Sequence, residues 1–534
     1  MEDYCYYLPI TETGFFSAIA MDYVTEKPAI RPFYEHSVSL DGIKAAIAAR
    51  QKTKNHRTVL QAALLEQYSQ TTLTEVQQKN LNALLLDNTF TITTAHQPNI
   101  FTGPLYFIYK IIHAIQQAQF LQQQLPEYNF VPFYYMGSED ADLEELGNIT
   151  LQGKKLTWLT NQTGAVGRMK VDKLFLSLIE EIKGQINVLP YGEQLSHLFA
   201  NAYTLGKTIQ QATFELVNNL FADFGLLILI PDNAALKKVF EPVVEKELLE
   251  QFSHNAIAST IKALQEHYPI QTQGRSINLF YLTDTYRERI EWDAALEKFV
   301  VKNTQLQFTK TEMLNELRQY PERFSGNVIL RGLFQETILP NIMFIGGGGE
   351  LAYWLELKNV FAAAAIPYPV LLLRNSFVIA DSNSLKQWKQ MQFTIADLFK
   401  PILTLQQNYV LKHSNYNVLL DSEIKALNEV YEQMRQHAVK ADATLEKHVL
   451  ALQHKAVEKI NVLQKKIIKA EKRKHEIEMH RLERIKNALF PNNHLQERVE
   501  NFSVLYAHYG PNLLHSILKA SKQFGQKMGV IELS

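Results

Sequence analysis

Apolar residues gather into short unbroken runs separated by longer stretches of helical spacing. FTITTA (90–95), NFVPFYYM (129–136), LLILI (226–230), VIL (328–330), IMFIG (342–346) and PVLLLR (369–374) are strand-sized and rich in β-branched or aromatic residues. Between them, 104–125, 207–222 and 349–362 repeat their apolar positions with helical period. Such alternation predicts an α/β fold with a doubly wound parallel sheet. Two intervals break the alternation. Residues 147–200 hold polar turns and the strand-like LTWLT, and 240–325 hold a helix over 241–266 followed by NLFYLT. Both read as insertions on a core spanning 1–385.

Past 385 the texture changes. Residues 386–490 carry one proline, Pro401, and many Lys, Glu, Gln and Leu. Leu445, Val449, Leu452 and Ala456 follow heptad spacing, and Ile460, Leu463, Ile467 and Ala470 resume it after an irregular step. A partner helix is available in 423–439, through Ile424, Leu427, Tyr431 and Met434. An antiparallel coiled coil is therefore predicted, pairing within the chain or between two chains, and a long exposed one favours a homodimer. Pro491, Asn492 and Asn493 end the charged helix, and 491–534 are expected to fold back on the core.

Composition narrows the function classes. Lys and Arg number 54 against 55 Asp and Glu, for a net charge of -1, which argues against a nucleic-acid partner. A single cysteine, Cys5, excludes an intrachain disulfide framework and a thiolate-rich metal site, and no His-x-x-x-His pair exists; no metal is expected. MEDYCYY is acidic and polar where a signal peptide is basic, then apolar. The longest candidate span, FGLLILI (224–230), is too short for a membrane. A soluble, cytoplasmic protein is expected.

Four segments carry candidate chemistry. In TTAHQPNIFTGPLYFIYK (93–110), His96 and Gln97 follow a strand, Thr102 suits a helix cap and Pro104 a first turn. Ligands bind at such junctions because free backbone N–H groups point there. YYMGSEDADLEEL (134–146) sets Glu139, Asp140 and Asp142 at another strand end, where they could hold an amine or orient a base. Helix-terminus stabilisation alone accounts for Glu144 and Glu145. In GGGGELAYWLELK (346–358), Gly347, Gly348 and Gly349 would let a ligand approach the backbone, with Glu350 and Tyr353 on the helix behind them. This loop matches neither a Walker loop nor the dinucleotide fingerprint. In PVLLLRNSF (369–377), Arg374 could clamp a carboxylate or phosphate beside Asn375.

TAHQPNIFTGPLYFIYK, VPFYYMGSEDAD, LFQETILPNIMFIGGGGELAYWLELK, PVLLLRNS and LFPNNHLQERVENF together resemble the bacillithiol biosynthesis cysteine-adding enzymes, the cysteine ligases. The resemblance runs from near residue 90 to the carboxyl end. It implies a cytoplasmic ligase that joins cysteine to glucosaminyl-malate, forming an amide in the last step of bacillithiol synthesis. It also implies a Rossmann-like core with two connective-peptide insertions, and a dimerising coiled coil. The catalytic candidates are His96, Glu139, Asp140 and Asp142; Gln97, Thr102, Gly347, Gly348, Gly349, Glu350, Tyr353, Arg374 and Asn375 are substrate-binding candidates. A second, adenine-nucleotide site (ADP or ATP) is expected near the coiled coil, with Phe490, Tyr506 and Tyr509 stacking on the base and Arg498 meeting phosphate. Two departures stand out: Ala141 replaces a family histidine, and Ala95-His96-Gln97 stands where many relatives have Gly-Gln-Gln. A non-catalytic nucleotide-binding scaffold that keeps the fold and the coiled-coil dimer is the competing expectation.

Overall fold

The computed structural model describes residues 4–522 and 524–534. They divide into two compact units: residues up to Val378 with His494–Ile531, and Ile379–Asn493 with Glu532–Ser534. The first is built on five parallel strands: β1 Thr89–His96, β2 Asn129–Met136, β3 Leu227–Leu229, β4 Asn341–Gly346 and β5 Val370–Leu373. Their order is β5-β4-β1-β2-β3. β1 and β2 run in register from Thr89 opposite Asn129 to His96 opposite Met136, so their carboxyl ends are level at one sheet edge. Every residue of β1 is buried, as expected of a parallel strand covered on both faces.

Helices α1 (Leu40–Gln51), α2 (Tyr106–Gln124), α3 (Val328–Ile338) and α4 (Gly348–Glu356) belong to this unit. Ile43 and Ile47 of α1 and Ala114, Ala118 and Leu121 of α2 pack on Phe90, Ile92, Phe130, Ile345 and Leu372. Trp354 of α4 stacks on Phe344 of β4, ring centroids 4.3 Å apart. The sheet is therefore a Rossmann-like, doubly wound one.

Three sequence expectations need correction. VIL (328–330) is not a strand but the first turn of α3, because the Asn327 side chain accepts the N–H groups of Ile329 and Leu330. Ile329, Leu330, Leu333 and Phe334 are spaced for a helix, not a strand. The helix expected over 241–266 breaks into Ala234–Glu250 and Phe252–Leu264, since Gln251 takes a left-handed φ of 52°. The helix expected over 349–362 likewise divides at Leu357.

The first interrupting interval holds a hairpin, Asn148–Leu151 with Lys154–Thr157, and two helices. The second holds four antiparallel strands, Leu279–Leu282, Arg287–Asp293, Lys298–Val301 and Gln307–Phe308, joined at one edge by Phe324–Gly326. In the helical unit, α5 (Asp421–Ala441) and α6 (Glu446–Lys474) pair antiparallel within the chain. Gln453 donates to Asn428 at 2.7 Å, and Arg435 meets Glu446 at 2.5 Å near the turn. The alternative that the sequence left open is thus decided for this pair. Among the described residues no helix is long and apolar enough to cross a membrane.

At the amino end of the sheet lies a buried polar network. Arg50 of α1 donates to the Glu336 carboxylate at 2.8 Å and to its carbonyl at 2.7 Å. Asn341 donates to the same carboxylate at 2.7 Å and accepts from Thr91 and Thr93. Burial pushes the Glu336 carboxyl up, while Arg50 opposes the shift. Removing one partner strands a buried charge, so Arg50→Ala should cost about 3–5 kcal/mol in urea unfolding of this unit. Arg50→Met with Glu336→Leu should recover part of the loss; an Arg50→Ala protein as stable as wild type would show that the pair is dispensable.

Candidate active site

The carboxyl edge of the sheet opens into a cavity of about 440 Å³. Its wall is built by the segments after β1, β2, β4 and β5, which is where a doubly wound sheet binds ligands.

After β1 the chain turns sharply. Phe101, Thr102 and Gly103 all have positive φ, of 49°, 71° and 65°. Phe101 anchors the turn in a cluster with Phe175, Phe199 and Tyr203, ring centroids 5.0 to 5.1 Å away. At Gly103 a Cβ would lie 2.7 Å from Asn99 Cβ, so glycine is required there. Asn501 then donates to the carbonyls of Phe101 and Gly103, at 2.8 and 2.5 Å. Thr102 is not the expected cap: α2 begins at Tyr106 with no side-chain cap. Thr102 is buried in the turn and does not line the cavity, so its expected substrate contact is corrected too.

His96 does line the cavity, its ring 5.4 Å from those of Tyr106 and Phe107. Its Nε2 is buried without a partner. Burial first, then Lys110, Arg331 and Arg374, drive its pKa well below the ordinary histidine value, so the ring is neutral near pH 7. Gln97, also in the wall, donates to Asp140 at 3.1 Å and fixes that carboxylate.

The acidic segment is split by the structure. Asp140 and Glu139 line the cavity, but Glu139 is ion-paired with Lys237 and accepts from Ser325 at 2.8 Å. Asp142 does not line it; its side chain caps the short helix Leu143–Leu146 by accepting the Glu145 N–H at 3.0 Å. Its expected catalytic place is therefore corrected to a cap. Glu145, attributed above to helix-terminus stabilisation, faces the cavity instead. Burial, then Asp140 and Asp142, raise its pKa. Ala141 is exposed and outside the wall.

Gly347, Gly348 and Gly349 line the cavity at the amino end of α4, as do Glu350 and Tyr353. Glu350 is ion-paired through one oxygen: its Oε2 accepts from Gly347 N–H at 2.9 Å and from Lys110 Nζ at 2.6 Å. Tyr353 accepts from Arg331 at 2.5 Å. Arg374 is not a free clamp. Its two terminal nitrogens bind Glu497 at 3.0 and 2.6 Å, both residues being buried. Only its Nε, in the cavity wall, lacks a partner. Asn375 lies outside the wall, donating its N–H to His113.

The residues expected to form a nucleotide site fall in both units. Arg498 lines the core cavity with Arg374. Tyr506 packs on Phe502, while Phe490 belongs to the helical unit and packs on Phe399 there. The two-residue step from Gln496 to Arg498 carries the guanidinium to the cavity because Glu497 between them is tied down by Arg374.

Sequence reasoning missed Glu145, Arg287, Arg331 and Arg498 as cavity residues. Arg331 was legible in principle, since the helical spacing of VILRGLF with Asn327 as cap puts it one turn into α3. No local signal marks the other three.

Similarity to known proteins covers both units. The model described as "Bacillithiol biosynthesis BshC, N-terminal Rossmann-like domain" matches residues 4–375, and "Bacillithiol biosynthesis BshC, C-terminal coiled-coil domain" matches 377–533. Relatives bearing the name "Putative cysteine ligase BshC" include those of Flavobacterium johnsoniae, 38% identical over 98% of each chain, and Christiangramia forsetii, 39% identical over 95% of each. That of Bacillus cereus is 25% identical and covers 96% of this chain and 98% of its own. With matching models spanning nearly its whole length and such identity across it, the chain belongs to the bacillithiol biosynthesis BshC family.

Proposed function

We propose that this protein is a cysteine ligase that joins the carboxyl group of cysteine to the amine of glucosaminyl-malate, the last step of bacillithiol synthesis. The observation that carries the reading is the division of charge in the cavity. Asp140 and Glu145 stand free of any ion pair among the described residues, and basic side chains share the same wall. An amine and an acyl group can therefore be oriented together.

In the proposed step the amine nitrogen attacks the activated cysteine carbonyl and forms the C–N bond. The leaving group departs with its electron pair, and the ammonium proton passes to Asp140 or Glu145. Neutral His96, as an N–H donor, and the amino end of α4 at Gly348 and Gly349 stabilise the oxyanion. A neutral imidazole suits this role because it donates without leaving a buried charge behind. An adenine nucleotide stays part of the proposal as the activator of the carboxylate.

A deletion strain tests the reading. Bacillithiol should disappear and glucosaminyl-malate accumulate; an unchanged thiol pool would refute it and favour the scaffold.

Complementation of that strain separates the site residues. Asp140→Asn should abolish rescue with a nearly unchanged melting temperature. Gly347→Ala should also leave the melting temperature unchanged, since φ is negative there and the new Cβ meets Glu350 Oε2 at 3.6 Å and Arg374 Nε at 3.7 Å, both ordinary contacts. It should lose rescue because the added methyl group occupies the cavity wall between those two groups. A Cβ at Gly349 meets nothing within 4 Å, so Gly349→Ala should fold as wild type and gain ~0.5 kcal/mol of stability in urea unfolding. Full rescue by Gly347→Ala would remove the loop from the site.

The depressed His96 pKa gives a pH test. Histidine ordinarily titrates at about 6.5, and a lowered pKa leaves the ring neutral through that range. The kcat/KM of wild type and of His96→Asn should follow profiles of the same shape between about pH 7.5 and 6, because the substrate amine and the carboxylates titrate while His96 does not. A break near 6.5 that vanishes in His96→Asn would contradict a neutral donor.

A further inference from the structure

The cavity's charged groups fall into those already spent on the protein and those still free. Glu139 is paired with Lys237, Glu350 with Lys110, and Arg374 with Glu497. Arg287 donates to Ser325 and to the Gly326 carbonyl, and it feels the charges of Glu139 and Asp140. Two cations are left. Arg331 donates only to the neutral Tyr353 hydroxyl and makes no ion pair among the described residues. Arg498 has no hydrogen-bond acceptor or ion-pair partner among the described residues, and it lines the wall from the carboxyl-terminal segment.

Arg498 does not reach the cavity by chance. Its neighbour Glu497 is fully buried and accepts from Arg374, from Ser376 at 3.2 Å and from the Phe377 N–H at 3.3 Å. Glu500 accepts the N–H groups of Gln152 and Gly153 at 2.8 and 3.0 Å, and its carbonyl accepts the Leu105 N–H at 2.8 Å. Asn501 clamps the turn after β1. The backbone on either side of Arg498 is thus fixed to three separate elements while its own guanidinium stays unspent. Such pre-organisation lowers the ordering cost of binding.

We propose that Arg498 and Arg331, rather than Arg374, bind the two carboxylates of a dicarboxylate substrate arm. Glu497 is the positioning residue that takes Arg374 out of that role and delivers Arg498 to it. The proposal rests on the cysteine-ligase reading for the identity of that arm, the malate end of glucosaminyl-malate. Two free guanidiniums facing Asp140 and Glu145 suit a ligand with two carboxylates and one amine. A polyphosphate would put its charge against those same carboxylates.

Calorimetry with malate, glucosaminyl-malate and inorganic phosphate tests this on the full chain. Arg498→Ala should weaken malate and glucosaminyl-malate at least tenfold with an unchanged melting temperature, because the side chain is exposed and unpartnered. Arg498→Lys should recover only part of the affinity, since a point charge cannot replace the planar fork. Malate bound by Arg498→Ala as tightly as by wild type overturns the proposal. So does wild-type protein that prefers phosphate or binds no malate. Wild type that binds malate through Arg498 but ignores glucosaminyl-malate leaves the dicarboxylate subsite standing and sinks the ligase reading instead.

Discussion

The buried pair between Arg374 and Glu497 is the contact on which the site depends. Removing two charges from water is costly, and attraction alone repays this only when every remaining donor and acceptor is met. Here the Glu497 carboxylate also accepts from Ser376 and the Phe377 backbone, and Arg374 also donates to the Asn375 carbonyl, so that only the Arg374 Nε at the cavity is left unmet. The pair joins residues 123 apart in the chain, so it forms only when the carboxyl-terminal segment lies against the end of β5. Once formed, it sets the position of Arg498, Glu500 and Asn501, and through them the turn after β1.

That turn shows what the arrangement accomplishes. Three successive positive-φ residues are unfavourable in isolation, two of them being non-glycine. Phe101 in its aromatic cluster and Asn501 on two carbonyls hold them. The outcome is that His96 and Gln97 leave β1 facing the cavity rather than continuing into a capped helix. Local strain is held by contacts distant in sequence.

Electrostatics in the cavity follow the same logic. Lys110 and Glu350 neutralise each other beneath the glycine loop, and Lys237 neutralises Glu139. Burial weighs against charge on Lys110, while Glu350 opposes the shift. Burial and the nearby cations together keep His96 neutral. The unpaired charged groups of the cavity wall are consequently few.

The sequence by itself determined the parallel sheet, the antiparallel sense of the helix pairing and the sheet edge that carries the candidate motifs. These follow from local properties: β-branched runs, helical periodicity, and loops rich in glycine and polar residues at strand ends. Family resemblance was likewise carried by contiguous motifs. Tertiary structure alone decided how each polar residue is used. Asp142 and Glu145 are three residues apart in one acidic run, yet one caps a helix and the other lines the cavity. Arg374 looked free because its partner lies far along the chain. Arg498 looked like part of a crevice near the coiled coil because nothing local reveals that Glu497 is drawn into the core. Periodicity reports which face of an element is buried, but whether a charge is spent or available depends on partners that only folding brings together.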